Sequence, residues 1–372
     1  MSRPLKDILV VALEHAVAAP FCTRLLADAG ARVIKVERAE GDFARGYDAA
    51  VKGQSTYFTW LNYGKESLVL NLKDSSDLGF LKMILIKADV LVQNFSPGAL
   101  DRLGLGNEEL TDINPALIHC AIQGYGENGP YADRKAYDLL IQAETGLAFV
   151  TGSEHEPGRV GVSVCDIASG LYAYASILES LIERTSKNSG KHFNVSMFDA
   201  MSEWMAVPLL QYDYSGNQPK RVGLRHPSIA PYGIYTTKDN AAIVIAVQNN
   251  REWKNLCLQV FSNKPLFDEK KFQTNVLRVK NRPELEQIIA RQVAMVDYEQ
   301  CIKRLQESKI AYGDVNDISG LSNHPHLRRR NILTESGPVN VPASPIFKEC
   351  SDEIASCPSL GQHSQSIRRE FS

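Results

Sequence analysis

The sequence predicts an α/β protein: a large domain with a Rossmann-like, mainly parallel sheet, followed by a smaller α+β domain. In the first half of the chain, strand-sized apolar runs alternate with helical patterns, as in parallel sheets covered on both faces. A length of 372 residues exceeds that of one typical domain. Hydrophobic residues make up 44% and charged residues 23%, a globular composition that excludes disordered and collagen-like classes.

The first βαβ unit is read from the N-terminal segment. Ile8–Leu13 and Arg32–Val36 are continuous apolar runs, and Pro20–Ala29 between them has a helical pattern with proline near its start. Both runs are apolar on both faces, so we expect helices above and below them. The alternation continues with predicted strands at Leu68–Leu72, Val90–Gln93, Ala116–Gln123 and His192–Val195. Predicted helices lie at Leu78–Lys87 and Asp166–Glu183.

The character of the chain changes at Tyr212–Arg225, where glycine and proline indicate a linker. A hairpin follows, with predicted strands at Ile234–Tyr235 and Ala242–Val247. Three helical patterns come after it and begin at Arg251, Pro283 and Asp297. We therefore predict a large domain at 1–211, a linker at 212–225, a small α+β domain at 226–318, and a return linker with a C-terminal segment packing on the large domain at 319–372. The run Arg328–Arg330 is interpreted as a solvated helix end.

Charge and cysteine usage limit the partners. With 41 basic and 43 acidic side chains, the chain has no net field that would attract nucleic acid or a membrane surface. Seven scattered cysteines without a Cys-x-x-Cys pair indicate neither a disulfide framework nor a metal site. Neither a signal peptide nor a membrane-spanning stretch is recognised, so the prediction is a cytoplasmic protein.

Gly124, Gly126 and Gly129 match the Gly-x-Gly-x-x-Gly pattern of dinucleotide-binding proteins. Pro130 and a polar, irregular stretch follow, so no helix N-terminus is available to bind a pyrophosphate. We interpret this segment as a loop whose backbone approaches another segment closely.

Asp166 directly precedes an apolar helical pattern, which is typical of an N-cap. A helix N-terminus would also keep the carboxylate ionised, as a carboxylate nucleophile must be. The neighbouring Cys165 lacks a recognisable histidine partner and is expected to be a buried apolar residue.

Several basic residues follow predicted strands, at the edge where open α/β sheets bind ligands. They are Arg38, Lys73, Arg102, Arg134 and Lys135. Solvated surface cations are the alternative for each. His226 is a lone histidine in the linker region, which a loop explains without a function.

Several motifs in this order resemble the class III CoA-transferase and α-methylacyl-CoA racemase family over nearly the whole chain. They are Ala19-Pro20, Lys35–Arg38, Gly41-Asp42, Arg45-Gly46, Leu70–Lys73, Asn94–Leu100, Gly124–Gly126, Gly129-Pro130, Val160-Gly161 and Asp166. The resemblance implies that Asp166 is the nucleophile, forming a mixed anhydride with the donor acyl group and then an aspartyl-CoA thioester. It also implies CoA thioesters as substrates, no permanently bound cofactor, and a homodimer of two interlocked rings.

The resemblance further assigns CoA-binding positions on the large domain. Arg38, Lys73 and Arg102 would lie near the nucleotide, Asn94 and Phe95 near the adenine, and Lys135 and Tyr137 near the pantetheine and thiol. Leu72 is also assigned to the CoA-binding set. Charge-assisted contacts with phosphates are typically worth about 1.5–3 kcal/mol each, so a few would fix the cofactor.

Two departures bear on specificity. Tyr137-Asp138 stands where the racemase branch has a histidine and an aspartate, which argues against exchange of an α-proton. His226–Pro231 replaces the glycine-rich loop of formyl-CoA transferase, and Val17 replaces its glutamine, so formate and oxalate are not expected as substrates.

Within the family, the chain looks most like members that use succinyl-CoA with C4–C6 dicarboxylates such as itaconate, mesaconate or glutarate. The second carboxylate of such a substrate needs a cationic partner. Candidate substrate-binding residues are His15, Val17, Arg45, Arg225 and His226. A racemase-like isomerase and a non-catalytic CoA-binding protein remain the alternatives.

Overall fold

A computed structural model describes residues 4–345 and 354–372. The chain forms two compact units. The first contains the chain up to Ala148, Arg159–Leu210 and the part from Arg328 onward; the second contains Phe149–Gly158 and Gln211–Leu327. Residues 346–353 of the predicted C-terminal segment, with Cys350, and residues 1–3 lie outside the described residues.

The first unit is built on a six-stranded sheet in which every pair of neighbouring strands is parallel. Its order is β3-β2-β1-β4-β5-β6. The strands are β1 Leu9–Leu13, β2 Arg32–Glu37, β3 Glu66–Val69, β4 Val90–Gln93, β5 Ile118–Gln123 and β6 Lys191–Ser196. The predicted Rossmann-like fold class is confirmed.

Helices cover both faces of this sheet. The helices of the N-terminal half of the chain are α1 Ala18–Asp28, α2 Thr56–Asn62, α3 Ser75–Lys87, α4 Ala99–Arg102, α5 Asn107–Ile113, α6 Asp138–Glu144, α7 Leu147–Val150 and α8 Val164–Lys187. Val10 and Ala12 of β1 pack with α1 and α8, whereas Val11 and Leu13 pack with α3 on the opposite face. The alternation of side chains along a strand thus produces two cores, one on each side of the sheet.

The helices that follow are α9 Met197–Trp204, α10 Ala206–Ser215, α11 Asn250–Asn255, α12 Lys264–Asp268, α13 Asn275–Lys280, α14 Arg282–Val293, α15 Tyr298–Glu307, α16 Ile318–Ser322 and α17 Ser364–Phe371. Helix α10 reaches Ser215, so the stretch predicted as a linker from Tyr212 is helical for its first four residues. The left-handed Gly216 follows directly, where a helix commonly ends.

Helices α1 and α8 approach each other closely at a glycine. A Cβ atom on Gly170 would lie 2.7 Å from the carbonyl oxygen of Ala18 and 3.0 Å from the ring of Phe21. A glycine at this position, which has no Cβ atom, permits the beginning of α1 and the first turns of α8 to lie side by side. This contact determines where α8 carries Asp166.

The second unit contains an antiparallel sheet of β7 Tyr232–Thr236, β8 Ala242–Ala246 and β9 Ala311–Asp314. Its core includes the buried side chains of Trp253, Phe272 and Ile289. The predicted hairpin is confirmed, whereas β9 escaped prediction because a half-exposed four-residue strand carries too little apolar pattern.

The interpretation of Arg328–Arg330 as a helix end is wrong. Arg329 begins β10, Arg329–Thr334, which pairs with β11, Gly337–Pro342, in an antiparallel hairpin. The Arg330 guanidinium lies 2.6 Å from the Asp28 carboxylate and over the ring of Tyr63. These partners are distant in sequence, so local pattern could not indicate them.

Candidate active site

Strands β1 to β4 end at one edge of the parallel sheet, and the predicted CoA-binding residues follow them there. Arg38 follows β2, Lys73 follows β3, and Asn94 and Phe95 follow β4. Strand β1 lies between β2 and β4, so the chain leaves β1 and β4 in opposite directions. Ligands of open α/β sheets bind in the crevice at such a switch point.

Asn94 connects the two loops at this switch point. Its Oδ1 accepts a hydrogen bond from the backbone N–H of His15 at 3.0 Å, and its Nδ2 donates to the His15 carbonyl oxygen at 2.9 Å. Both the oxygen and the nitrogen of the Asn94 side-chain amide are therefore hydrogen-bonded to the backbone of His15. Asn94 therefore fixes the turn after β1, and its predicted contact with adenine stays a prediction.

The turn after β1 contains a strained residue. Ala16 has a φ of +63°, a left-handed conformation that is uncommon for residues other than glycine. Its N–H donates to Asp42 Oδ1 at 3.2 Å, and Asp42 Oδ2 accepts from Lys35 Nζ at 2.8 Å. Val17, predicted to touch the substrate, is buried at the start of α1.

Below the turn lies a buried network of two carboxylates and two ammonium groups. Glu14 Oε1 accepts from Lys65 Nζ at 2.7 Å and from Lys35 Nζ at 3.4 Å, while Lys35 also binds Asp42. All four side chains are fully excluded from solvent. Burial lowers the pKa of Lys65 to about 8. The two charges of each sign balance, which buried ions require.

A row of aromatic rings begins at this crevice. Phe95 stacks on His15 with centroids 6.1 Å apart, His15 contacts Phe43 at 5.0 Å, and Phe43 contacts Tyr47 at 5.8 Å. Tyr47 meets Tyr57 edge-on at 5.6 Å. Burial lowers the pKa of His15, which favours the neutral ring. The row joins the predicted adenine position to the neighbourhood of α8.

The far end of this row reaches the first turn of α8. The hydroxyl groups of Tyr57 and Ser163 lie 3.4 Å apart. Burial and the charges of Asp42, Asp166 and Tyr137 raise the pKa of Tyr47 to about 12, so Tyr47 lies within electrostatic reach of the predicted nucleophile. The structure thus brings His15, Phe95 and Asp166 to one elongated region.

Asp166 does not cap α8. The helix begins at Val164 with Ser163 in the N-cap position, so Asp166 is the third helical residue. Within 4–345 and 354–372, no group is found hydrogen-bonded to its side chain. Burial, reinforced by the charge of Asp138, raises the pKa of Asp166 to about 7. The helix N-terminus was expected to keep this carboxyl ionised, whereas burial and the charge of Asp138 act in the opposite direction.

The capping role belongs to Asp138, which sequence reasoning missed. Asp138 Oδ1 accepts from the N–H of Cys165 at 2.8 Å, and its Oδ2 accepts from Gln142 Nε2 at 2.7 Å. The Gln142 Oε1 in turn accepts from the N–H of Val160 at 2.8 Å. Cys165 is buried, as predicted, and burial raises the pKa of its thiol, so a thiolate nucleophile is disfavoured.

The basic residues predicted to bind CoA are exposed. Lys73, Arg102 and Lys135 have no carboxylate partner within 4 Å among the described residues, and Arg38 lies 3.7 Å from Glu40. Unpaired exposed cations are available to anions, although they are also common on any surface. Leu72 is half-buried and Tyr137 is exposed at the start of α6.

The glycine-rich segment after β5 has the predicted close approach. A Cβ on Gly124 would lie 2.1 Å from the Cβ of Ala136, so the loop packs directly against the residue between Lys135 and Tyr137. The next helix, α6, begins only at Asp138, which is consistent with the rejection of a dinucleotide fingerprint. Gly124 thus permits the close approach of this loop to Ala136, the residue before Tyr137.

Arg45 already has partners. Its guanidinium forms two hydrogen bonds to the Glu37 carboxylate, at 2.9 and 2.8 Å, and lies 3.7 Å from the ring centroid of Phe58. This bidentate pair fixes the segment after β2. A role for Arg45 with a substrate carboxylate would require breaking it.

Arg225 and His226 belong to the second unit. Arg225 lies 3.8 Å from Glu154, and His226 stacks on Tyr232, where burial lowers its pKa. The loop after His226 is fixed from the following helices: Arg282 donates to the carbonyl oxygens of His226, Pro227 and Ile229, and Asn275 binds Ser228 and Ala230. Substrate contact by Arg225 or His226 stays a prediction.

A family model described as CoA-transferase family III matches residues 5–364. The chain belongs to CoA-transferase family III. It is 35% identical to an acetyl-CoA:oxalate CoA-transferase of Acetobacter aceti, over 99% of this chain and 96% of that protein. It is 33% identical to a human succinyl-CoA:glutarate CoA-transferase, over 99% of this chain and 86% of that protein.

Solved structures agree with this assignment. A crystal structure of a CAIB/BAIF family protein from Brucella suis shares 32% identity and covers 99% of each chain, with a TM-score of 0.83. As a family III enzyme, the protein is a CoA-transferase, whose substrates are CoA thioesters. In the part of the chain that the structure describes, no cluster of metal-ligating side chains is present, and no helix is long and apolar enough to span a bilayer.

Proposed function

We propose that this enzyme transfers CoA from succinyl-CoA to a free C4–C6 dicarboxylate such as itaconate or mesaconate, with Asp166 as the nucleophile. The observation that carries the proposal is the Asp166 carboxyl group itself. It lies partly buried in the first turn of α8 without a hydrogen-bond partner among the described residues. A desolvated carboxylate with a raised pKa is a stronger nucleophile than a solvated one.

In this mechanism an ionised Asp166 oxygen attacks the acyl carbonyl carbon of the donor, and the C–S bond breaks to give a mixed anhydride and CoA thiolate. The thiolate attacks the Asp166 carbonyl carbon, which releases the donor acid and forms an aspartyl-CoA thioester. The acceptor carboxylate then expels the thiolate to form a second anhydride. Attack of the thiolate on the acceptor's acyl carbon releases the new thioester and ionised Asp166.

The surroundings support this chemistry. The exposed cations Arg38, Lys73 and Arg102 would bind the phosphates of CoA, for which the protein's net charge of −2 supplies no general attraction, and Lys135 would lie near the pantetheine and thiol. The aromatic row from Phe95 to Tyr47 would line the path of the pantetheine. The names of the relatives, which include a glutarate and an oxalate transferase, support a dicarboxylate acceptor but do not choose its length.

A trapping experiment tests the proposal. With succinyl-CoA, an acceptor panel and hydroxylamine, we expect turnover-dependent conversion of Asp166 to its hydroxamate, read by peptide mass spectrometry, because both the anhydride and the thioester react with this amine. Heat-treated protein and desulfo-CoA-blocked protein serve as controls. Unmodified Asp166 after many turnovers would exclude the covalent path, and exchange of an α-proton with D2O without transfer would indicate an isomerase.

We also propose a homodimer of interlocked rings in the cytoplasm. Helix α10 supports a large subunit interface: it has no buried residue, and Val207, Leu209, Leu210 and Tyr214 are exposed on it. Exposed apolar patches of this kind mark interaction surfaces. The chain also leaves the first unit after Leu210 and returns to it at Arg328, as a ring would require.

The interlocked arrangement predicts that the subunits separate only on unfolding. We expect sedimentation at nanomolar concentration to show a dimer, and loss of subunit contact to coincide with thermal unfolding. Leu210→Ser provides a comparison variant, which should lower the melting temperature without producing folded monomer. A folded, active monomer in the wild-type protein would exclude the interlocked dimer.

A further inference from the structure

Asp138 is a polar residue at the site to which the proposed chemistry assigns no step. It lies at the first position of α6, after the exposed Tyr137, and its two carboxylate oxygens accept hydrogen bonds from two different donors. One oxygen binds the N–H of Cys165, the residue directly before Asp166. The other binds Gln142, whose side chain is fully buried.

This network fixes the start of α8 from outside the helix. Ser163 occupies the N-cap position but makes no side-chain capping bond, so Asp138 supplies the acceptor that a free helix N-terminus needs. Gln142 extends the connection, since its Oε1 binds the N–H of Val160 in the segment that enters α8. The backbone on both sides of Ser163 is thereby attached to α6.

We propose that Asp138 is a positioning residue for Asp166, which fixes the first turn of α8 through Cys165 and places a second negative charge beside the nucleophile. This inference rests on the proposed function, because it assumes that Asp166 reacts. It assigns to Asp138 two separable effects, a hydrogen bond that sets geometry and a charge that raises the basicity of Asp166.

The charge effect has a clear physical origin. The charge of Asp138 on α6 acts on Asp166, and Asp166 in turn acts on Tyr47 after β2 and on Cys165 of α8 itself. None of these three groups is cationic. A like charge nearby disfavours ionisation, and burial acts in the same direction, so both raise the pKa of Asp166. A carboxylate that is harder to ionise is more nucleophilic once ionised.

Asp138→Asn removes the charge. The amide oxygen of the introduced asparagine can still accept from Cys165, while its nitrogen replaces the oxygen that accepts from Gln142, so that second bond is lost. We expect the acidic limb of the kcat/KM pH profile to move down by about one unit, so that the ratio of activity at pH 6 to that at pH 8 rises about fivefold. Asp138→Ala, which also loses the hydrogen bond from Cys165, should lower kcat further with the same shift. Asp112→Asn, an exposed carboxylate on α5, is the matched control.

Hydroxylamine trapping on the same variants distinguishes the positioning role of Asp138 from the nucleophilic role of Asp166. Trapping at Asp166 with a shifted pH profile in Asp138→Asn supports the inference. Trapping with an unshifted profile would overturn the role of Asp138 and leave the proposed nucleophile intact. No trapping at Asp166 in the wild-type enzyme would overturn the proposed function itself, and with it this inference.

Discussion

Asp166→Asn should reduce CoA transfer by at least about 10³-fold and at the same time raise the melting temperature at pH 8. Activity is lost because an amide cannot form the anhydride, so the covalent path is closed. Asparagine has nearly the same shape as aspartate, and the residue accepts no hydrogen bond from the described residues that the substitution would remove. The fold should therefore survive.

The stability gain follows from the raised pKa. Burial and Asp138 move the pKa of Asp166 from an ordinary 3.8 to about 7. Between these values the unfolded chain has released a proton that the folded protein still binds, so wild-type stability falls as the pH rises from about 4 to 7. Above pH 7 the folded wild-type protein contains a destabilising charge that the Asp166→Asn variant lacks.

Melting curves of the wild type and Asp166→Asn, measured between pH 4 and pH 8, test this expectation. Each kcal/mol by which the substitution raises the free energy of unfolding corresponds to an increase of roughly 2–4 °C in the melting temperature for a domain of this size. The difference between the proteins should be small near pH 4 and largest at pH 8, and Asp112→Asn should show no such trend. A variant that melts lower at pH 8, or that retains near-wild-type turnover, would contradict the assignment of Asp166.

Lys35→Met is expected to have the largest effect on stability. Lys35 lies fully buried between Asp42 and Glu14, and without its ammonium group one of these carboxylates loses its counter-charge in the core. Removing one partner of a buried ion pair typically costs about 3–5 kcal/mol. Because Asp42 also binds the N–H of Ala16, the strained turn after β1 should loosen and transfer activity should fall beyond the loss of folded protein.

A double-mutant cycle tests the cause. Asp42→Asn removes the unpaired charge while its amide oxygen can still accept from Ala16, so Lys35→Met/Asp42→Asn should be more stable than the sum of the single changes predicts. Denaturant unfolding measures this coupling. Lys254→Met, at an exposed position of α11, should change the free energy of unfolding by less than about 0.5 kcal/mol. Additive single effects would show that the network is not coupled.

Local sequence predicted the scaffold of the large unit well. Val90–Gln93 was predicted with its observed bounds, and the predicted strand at Arg32–Val36 ends one residue before β2 does. These segments are apolar on both faces, and buried parallel strands have that pattern wherever they occur. The start of α8 was predicted at Asp166 instead of Val164, because the acceptor for its first turn is supplied by Asp138, 27 residues before Cys165 in the chain.

The sequence by itself determined the fold class, the family and the sheet edge at which Arg38, Lys73 and Phe95 lie, since apolar periodicity and motif order are local properties. Tertiary structure alone decided that Asn94 binds the backbone of His15 and that Arg45 is paired with Glu37. It also decided that Asp166 is not the cap of its helix and that burial and Asp138 raise its pKa. The reason is physical: desolvation and Coulomb interactions depend on neighbours in space, and those neighbours come from distant parts of the chain.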